Sequence, residues 1–217
     1  MRISRILGSG VVLGVATVFA LYLLLHVLRT DYNPLRRFLS EYAVGRFGVL
    51  MTANFLLQAL IVLPLVIGLF LDVRHSGSLL AGCACLTVAA VALTVAAIFP
   101  TDLSEPAGGP ARGVTQAGIA HQSAGAISFV ARVVGFLFLS RAYRFDDRWQ
   151  ALAPTARRVA VAFGALFLAF MLLVRWDWGG AAQRATVAAG LLWMCLSGVH
   201  LRRPAGNVEA VLAKTID

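Results

Sequence analysis

Long apolar runs alternate with short polar connections along the whole chain of 217 residues. Each run is close to the roughly 20 residues that an α-helix needs to cross the hydrocarbon core of a bilayer. The pattern therefore predicts an all-α, polytopic membrane protein, with six transmembrane helices in a single bundle and one integral domain over residues 1–217. The predicted helices cover residues 7–28, 47–71, 79–99, 118–139, 159–174 and 185–201.

The composition supports this class and excludes an ordinary soluble domain. The chain is 59% hydrophobic and 13% charged, with a mean hydropathy of +0.81, whereas soluble domains carry about 25% charged residues. The formal net charge is +9, and basic residues of membrane proteins commonly gather in loops that face anionic lipid. We therefore expect membrane lipids as partners and no nucleic acid.

The distribution of basic residues predicts the orientation of the bundle. More arginines and lysines fall on the side of the two chain termini than on the opposite side. Because cytoplasmic loops carry the excess of positive charge, both termini are expected in the cytoplasm. The first, third and fifth connections would then face outward, and the Gly- and Pro-rich residues 105–113 of the third predict a flexible loop.

The first outer connection, RTDYNPLRRFLSEYAVGRFG from Arg29 to Gly48, carries more reactive and binding groups than a plain connector needs. Ionisable groups at membrane depth cost free energy unless they are paired or hydrated, so each one suggests a function. Eight polar residues are expected at one level beside the outer face: His26, Asp31, Ser40, Glu41, Tyr42, Asp102, His121 and Arg184. Their shared level predicts an outward-facing polar pocket.

Asp102 and His121 are the candidate catalytic pair, assisted by Glu41. They flank the third connection, whose two ends must be neighbours if the helices on either side pack as an antiparallel pair. An aspartate in that position can orient a histidine that acts as a general base. The structural alternative is that Asp102 caps the connection and His121 donates one hydrogen bond within the bundle. A similar alternative makes Ser40 the N-cap of the second helix and places Glu41 in its first turn.

A second set of polar residues predicts ligand binding. Arg37 and Arg184 would clamp an anionic group, because guanidinium pairs well with carboxylate and phosphate. Glu41, Tyr42 and His121 would add hydrogen bonds to the same ligand. The candidate substrate-binding residues are Asp31, Arg37, Ser40, Tyr42, Arg132 and Arg184.

Arg132 differs from the others because it lies in the middle of the fourth predicted helix. It is about three turns from His121 and on roughly the same side of the helix. A mid-membrane arginine normally faces the bundle interior. We therefore expect a cavity at Arg132, with backbone carbonyls, Asn54, Gln58 or water as its hydrogen-bond partners.

Zinc is the candidate metal, with His26, His121 and Asp102 as its candidate ligands. No compact ligand motif supports this set, since the three residues lie far apart in the sequence. Haem is a weaker alternative that would use His26 and His121 on the outer side and His75 and His200 on the inner side. His75 and His200 lie in polar interfacial segments, which argues against haem.

The motifs DYNP, SEYAVGRFG and FPTD, followed by the AH pair of the fourth helix, form a recognisable pattern. In this pattern the chain resembles the prokaryotic membrane family called domain of unknown function 998. The matching positions are His26, Asp31, Pro34, Ser40, Glu41, Tyr42, Gly45, Phe99, Pro100, Asp102 and His121. The resemblance covers nearly the whole chain. It implies a six-helix fold in a prokaryotic cytoplasmic membrane and assigns no reaction.

The functional hypothesis is an integral membrane protein whose outward-facing polar pocket binds a lipid or small amphiphile. As an enzyme it would be a metal-assisted hydrolase or transferase. The alternative from another class is a transporter, scaffold or assembly factor without chemistry. A haem-binding electron-transfer protein ranks below both.

Overall fold

The computed structural model describes residues 2–103, 114–174 and 177–203. Within these ranges the chain is helical and contains no strand. The six α-helices are α1 Arg2–Leu28, α2 Gly48–Asp72, α3 Gly77–Ile98, α4 Gln116–Arg144, α5 Ala153–Leu173 and α6 Gly179–Arg202. All six are long and apolar enough to cross a membrane, which confirms the predicted all-α, six-helix fold. The loop predicted at 105–113 lies outside the described residues.

The helices form a closed ring in chain order. Each packs against the helices before and after it in sequence, and α6 returns to pack against α1. Glycines make the closest approaches: a Cβ on Gly8 of α1 would lie 2.5 Å from the Gly198 carbonyl oxygen of α6, and one on Gly135 of α4 would lie 3.2 Å from that of Gly82 in α3. Because lipid supplies no hydrophobic drive between helices, such small-residue contacts permit tight association.

The two ends of the bundle carry different connections. Gly8 packs against Leu201 and Arg202, so the start of α1 and the end of α6 share one end, which we call the terminal end. The opposite, distal end holds the connections α1–α2, α3–α4 and α5–α6. Six consecutive spans that alternate in direction produce this grouping. The side of the membrane that each end faces stays a prediction.

The starts of α5 and α6 differ from the predicted boundaries. α5 begins at Ala153 rather than at residue 159, and its first turn contains Pro154, which suits that position. α6 begins at Gly179 rather than at residue 185. The sequence-based boundaries were placed at the first apolar residues and so missed these polar or glycine-rich first turns. Arg184 therefore lies in the second turn of α6 instead of opening it.

The first connection folds as a short 3-10 helix, Leu39–Ala43, that is separate from α2. α2 begins only at Gly48, so the prediction that Ser40 is its N-cap and Glu41 part of its first turn was wrong. The separation arises at Gly45 and Phe47, whose φ angles are 78° and 65°. Glycine adopts this region freely, and the two left-handed residues turn the chain sharply into α2.

The α4–α5 connection at the terminal end is packed, although its sequence resembles an ordinary solvated loop. Trp149 is fully buried, and its Nε1–H donates to Asp72 Oδ2 at 3.0 Å. Arg148 forms an ion pair with the same aspartate. His200 Nε2 donates to the Arg148 carbonyl oxygen at 2.9 Å. These contacts tie the connection to α2 and α6.

Candidate functional site

Arg184 joins three parts of the distal end. Its Nε donates to His26 Nε2 at 2.8 Å, and its Nη2 donates to the Tyr42 hydroxyl at 3.2 Å. Its Nη1 donates to the carbonyl oxygens of Arg37 at 2.7 Å and Gly180 at 2.9 Å. The guanidinium thus connects α6 to the last turn of α1 and to the first connection. We call this group the Arg184 junction.

The hydrogen bonds of His26 define its tautomer. Nδ1 lies 2.6 Å from the Tyr22 carbonyl oxygen, which can only accept, so Nδ1 carries the proton. Nε2 receives the Arg184 N–H and therefore presents its lone pair to arginine. In this arrangement neither ring nitrogen has a lone pair left for a metal ion or haem iron.

Glu41 and Tyr42 are the most deeply buried polar groups of the first connection, both with 0% exposure. Glu41 Oε2 accepts from the Phe38 amide at 2.7 Å, and Oε1 accepts from Arg37 Nη1 at 3.1 Å. Burial raises the pKa of the Tyr42 hydroxyl, which stays protonated. The Tyr42 ring packs between His26 and Tyr32 at centroid distances of 5.3 and 5.2 Å. Glu41 thus holds the 3-10 helix, and Tyr42 anchors it to the bundle.

Arg29, which the sequence analysis did not single out, holds the two ends of the first connection together. Its Nε and Nη2 donate to the Asp31 carboxylate, each at 2.9 Å. Its Nη1 donates to the carbonyl oxygens of Val44 and Arg46 at 3.0 and 3.2 Å. The hydrogen bonds from Arg29 lower the pKa of Asp31. Asp31 is largely exposed, and its carboxylate holds the Arg29 guanidinium in place. In the sequence, only the position of Arg29 at the start of the connection could have indicated this role.

Asp102 organises the start of α4. Its carboxylate accepts from the Val114 amide at 2.8 Å, the Thr115 amide at 3.0 Å and the Thr115 hydroxyl at 2.9 Å. Thr115 Oγ1 in turn accepts from the Gly118 amide at 3.0 Å as the N-cap of α4. The bonds from the Thr115 amide and hydroxyl lower the pKa of Asp102. This arrangement is the structural alternative that the sequence analysis had left open.

His121 lies in the second turn of α4 and is buried against α3. Its Nδ1 lies 2.8 Å from both the Ala96 and the Phe99 carbonyl oxygens, so Nδ1 donates and Nε2 holds a lone pair. Asp102 and His121 therefore take separate hydrogen-bond partners. Asp102 does not orient the imidazole in this structure; the two carbonyls at the end of α3 do.

A cavity of about 300 Å³ extends from the distal end into the bundle, lined by residues of α1–α6 and of the 3-10 helix. Its apolar wall includes Phe129, Phe167 and Phe170, and Ser40 of the 3-10 helix also lines it. Helix α4 supplies four polar lining residues: His121, Gln122, Ser128 and Arg132. His121 and Arg132 are about 16 Å apart along the helix axis, so the cavity reaches from the distal end to mid-membrane depth.

Arg132 has the least satisfied side chain of this cavity. It is 6% exposed, and its Nε and Nη2 make no hydrogen bond to any described residue. Of its expected partners, Asn54 uses its acceptor oxygen elsewhere, since Oδ1 accepts from Gln58 Nε2 at 2.9 Å, and neither Asn54 nor Gln58 accepts a hydrogen bond from Arg132 Nε or Nη2. The expected cavity is present, but these two amides do not satisfy the arginine.

Two further polar atoms in the same cavity also lack partners among the described residues: Gln122 Nε2 and Ser128 Oγ. Neither residue was among the predicted site residues. Ser128 could have been found, because it falls between His121 and Arg132 at helical spacing on one face. Three side chains that line one cavity therefore carry buried polar atoms without described partners, which makes the cavity the candidate ligand site.

The predicted zinc ligands do not form a cluster. Over residues 2–103, 114–174 and 177–203, no three His, Cys, Asp or Glu side chains lie close enough to hold a metal ion. The zinc hypothesis therefore gains no support from the geometry. The four histidines proposed for haem each place a ring nitrogen on a backbone carbonyl, His75 on Phe70 and His200 on Arg148 at the terminal end.

The six spans and the polar interior define a multi-pass helical membrane protein. The family described as "Protein of unknown function (DUF998)" matches residues 12–200, and the chain belongs to that family. No curated protein and no solved structure gives a significant match.

Proposed function

We propose that the protein binds the acidic head of a small amphiphile in the cavity, with Arg132 as the counter-charge. The observation that carries this proposal is the guanidinium of Arg132, whose Nε and Nη2 are buried without a partner in the described chain. A charged side chain near the bilayer centre costs about 2.5–3.5 kcal/mol or more. A carboxylate or phosphate offers guanidinium two parallel hydrogen bonds and offsets that cost.

Neighbouring polar atoms suit the same ligand group. Ser128 lies one turn before Arg132 on the cavity face of α4, and its hydroxyl is buried without a partner in the described residues. The Gln122 amide nitrogen is a further donor without a described partner. Donors that are already placed lose little conformational entropy when an anion binds.

The walls of the cavity favour a ligand with an apolar part. Phe129, Phe167, Phe170 and Met171 line it, and Met171 is 43% exposed on the outer surface of the bundle. The lining therefore continues to a surface that faces lipid, which favours entry from the bilayer. A volume of about 300 Å³ lies at the lower end of the range for small-molecule sites, so the ligand is small.

A head-group series tests the proposal. Decanoate, decanol and decyltrimethylammonium carry the same chain with a negative, neutral and positive head. Purified protein in a neutral detergent at mildly alkaline pH is titrated with each while its thermal unfolding is followed. We expect decanoate to raise the unfolding temperature more than decanol, and the cationic compound to have no effect.

Two variants locate the binding. Arg132→Gln should abolish the preference for decanoate over decanol. Gly125→Leu should block both ligands, because Gly125 lines the cavity and a Cβ there meets no atom within 4 Å. Gly10→Leu is the matched control, since a Cβ at Gly10 is equally unobstructed and the residue lies on the exposed side of α1. The proposal fails if decanol binds as well as decanoate, or if Arg132→Gln keeps the preference.

A second candidate, ester hydrolysis, is favoured by the geometry of His121. Two carbonyls hold the proton on Nδ1, and the lone pair of Nε2 belongs to a ring that lines the cavity. Such an imidazole can take a proton from a water that attacks an ester carbonyl and return it to the leaving alcohol. Hydrolysis of p-nitrophenyl decanoate should be lost in His121→Gln and kept in Asp102→Asn. Equal loss in both variants, or no activity in the wild type, excludes this candidate.

A further inference from the structure

The terminal end contains a second concave surface that the proposed function does not use. It is a groove of about 910 Å³ between the end of α4 and the start of α5. Four arginines line it: Arg141, Arg144, Arg157 and Arg158. All four are exposed. We call it the arginine groove.

The arginines of the groove are not paired with acidic groups of the described chain, and Asp147 in the same connection is exposed. None of the four arginines forms an ion pair with a described carboxylate. Asp146, the acidic residue that follows α4 most closely, binds backbone amides of its own connection and of the α2–α3 connection. Its carboxylate accepts the backbone amides of Arg74, Arg148 and Trp149. Four like charges in one groove repel each other, and an anion that binds there relieves the repulsion.

The groove also has an apolar side. Leu137 of α4 and Val161 of α5 line it and are 40% and 55% exposed. Phe145 lies at its edge, with the guanidinium carbons of Arg141 and Arg144 5.6 and 5.9 Å from its ring centroid. These cation–π contacts keep two of the arginines beside the apolar surface.

The position of the groove matches the level of lipid head groups. Arg141 and Arg144 lie in the last turns of one membrane-spanning helix, and Arg157 and Arg158 in the first turns of the next. Phosphates of a bilayer lie at the ends of such spans, and guanidinium binds phosphate through paired hydrogen bonds. Leu137 and Val161 lie further along the same helices, towards the hydrocarbon core.

We infer that the arginine groove binds one anionic phospholipid, with its phosphate among the four arginines and an acyl chain along Leu137 and Val161. This site is separate from the cavity at Arg132 and does not depend on the proposed function. Its occupant combines a negative head with an apolar tail, because the groove presents both kinds of surface. The bound lipid would bridge α4 and α5.

Native mass spectrometry of the full chain in neutral detergent tests the inference. Dioleoylphosphatidylglycerol and dioleoylphosphatidylcholine are titrated separately, and bound lipids are counted from the mass. We expect one phosphatidylglycerol to bind at concentrations where phosphatidylcholine does not. Glycerol phosphate at the same concentration should not bind measurably, since it lacks the tail. Glycerol phosphate bound as tightly as the lipid would overturn the inference in favour of a small-anion site.

A charge-matched pair of variants separates the groove from general surface charge. Arg144→Gln with Arg157→Gln removes two positive charges from the groove. Arg2→Gln with Arg5→Gln removes two from the start of α1, which is also at the terminal end and exposed. The groove variant should bind phosphatidylglycerol at least tenfold more weakly, since it loses two of the four positive charges that face the phosphate. The α1 variant should bind like the wild type. Equal weakening in both variants overturns the inference.

The lysine variant, Arg144→Lys with Arg157→Lys, tests the geometry of the contact. It keeps the charge but loses the paired donors, so its affinity should fall between those of the wild type and the glutamine variant. All groove positions changed are exposed, and unfolding temperatures without added lipid check that each variant is folded. If both the lysine and the glutamine variants bind phosphatidylglycerol as tightly as the wild type, the arginines do not hold the phosphate.

Discussion

The Arg184 junction and the cavity at Arg132 place the same type of side chain in two different environments. Arg184 donates to His26, Tyr42 and two backbone carbonyls. Arg132 is buried, and two of its three nitrogens have no partner in the described part of the chain. A buried polar group with partners holds elements together, whereas one without partners costs stability unless a ligand supplies them. The junction therefore holds the distal end together, and the cavity is where we propose that a ligand binds.

The largest expected effect is the loss of the junction in Arg184→Met. The change removes the donor to the Tyr42 hydroxyl, to His26 Nε2 and to the Arg37 carbonyl oxygen. We expect the free energy of unfolding to fall by about 4 kcal/mol, since each unsatisfied buried group costs about 1–3 kcal/mol. Denaturant titration in detergent micelles measures it. Arg36→Met is the control, because the Arg36–Asp177 ion pair is exposed and should contribute less than about 1 kcal/mol. Equal stability of the two variants would contradict the structural role.

Gly180→Ala tests how closely the first connection packs on α6. A Cβ at Gly180 would lie 2.5 Å from the Arg37 carbonyl oxygen and 2.8 Å from that of Pro34. The backbone must move, so we expect the free energy of unfolding to fall by about 1–3 kcal/mol. Gly77→Ala is a matched control, since a Cβ there meets nothing within 4 Å. No difference between the two variants in thermal unfolding would show that the connection is not held against α6.

Arg132→Met should have the opposite sign from Arg184→Met. It removes a buried charge without described partners and adds apolar surface, so the ligand-free protein should gain about 1–2 kcal/mol of unfolding free energy. The same variant should lose decanoate binding. In the milder variant Ser128→Ala, we expect the free energy of unfolding to change little. A clear loss of stability in ligand-free Arg132→Met would show that the guanidinium is satisfied within the fold, and the contrast between the two arginines would disappear.

The smallest expected effects concern the cap of α4. Thr115→Ala should lower the free energy of unfolding by about 1 kcal/mol, the usual value for an N-cap hydroxyl.

Asp102 has a lowered pKa, so its contribution to stability is complete above the ordinary aspartate pKa of about 3.9 and is lost as pH falls through the lower folded value. Hydrogen exchange at the Gly118 amide should show this loss of protection below about pH 4 in the wild type and not in Asp102→Asn. An identical pH profile in both proteins would contradict the cap.

The helical spans were predictable because a bilayer imposes a simple rule on sequence. A helix must present roughly 20 apolar residues to the hydrocarbon core, and six such runs are visible without knowledge of any contact. The level of the polar groups follows from the same rule, so their place at the distal end was predicted correctly. Where the first turn was polar or glycine-rich, as in α5 and α6, the rule placed the helix start too late.

The partners of the polar groups were not predictable in the same way. Asp102 and His121 flank the same connection in the sequence. Asp102 nevertheless binds the start of α4, whereas His121 donates to carbonyls at the end of α3. Hydrogen bonds depend on ångström-scale placement, which sequence distance does not encode. The pairing of His26 with Arg184 joins residues 158 positions apart and required the closure of α6 on α1.

The sequence by itself determined the class and the number of spans, because the free energy of placing a side chain in lipid depends on its own chemistry. Tertiary structure decided which arginine is satisfied. Arg184 meets acceptors because the first connection folds over α6. Arg132 Nε and Nη2 meet none among the described residues, and Asn54 Oδ1 accepts from Gln58 instead. The difference between a structural arginine and one available to a ligand lies in the packing of neighbouring helices.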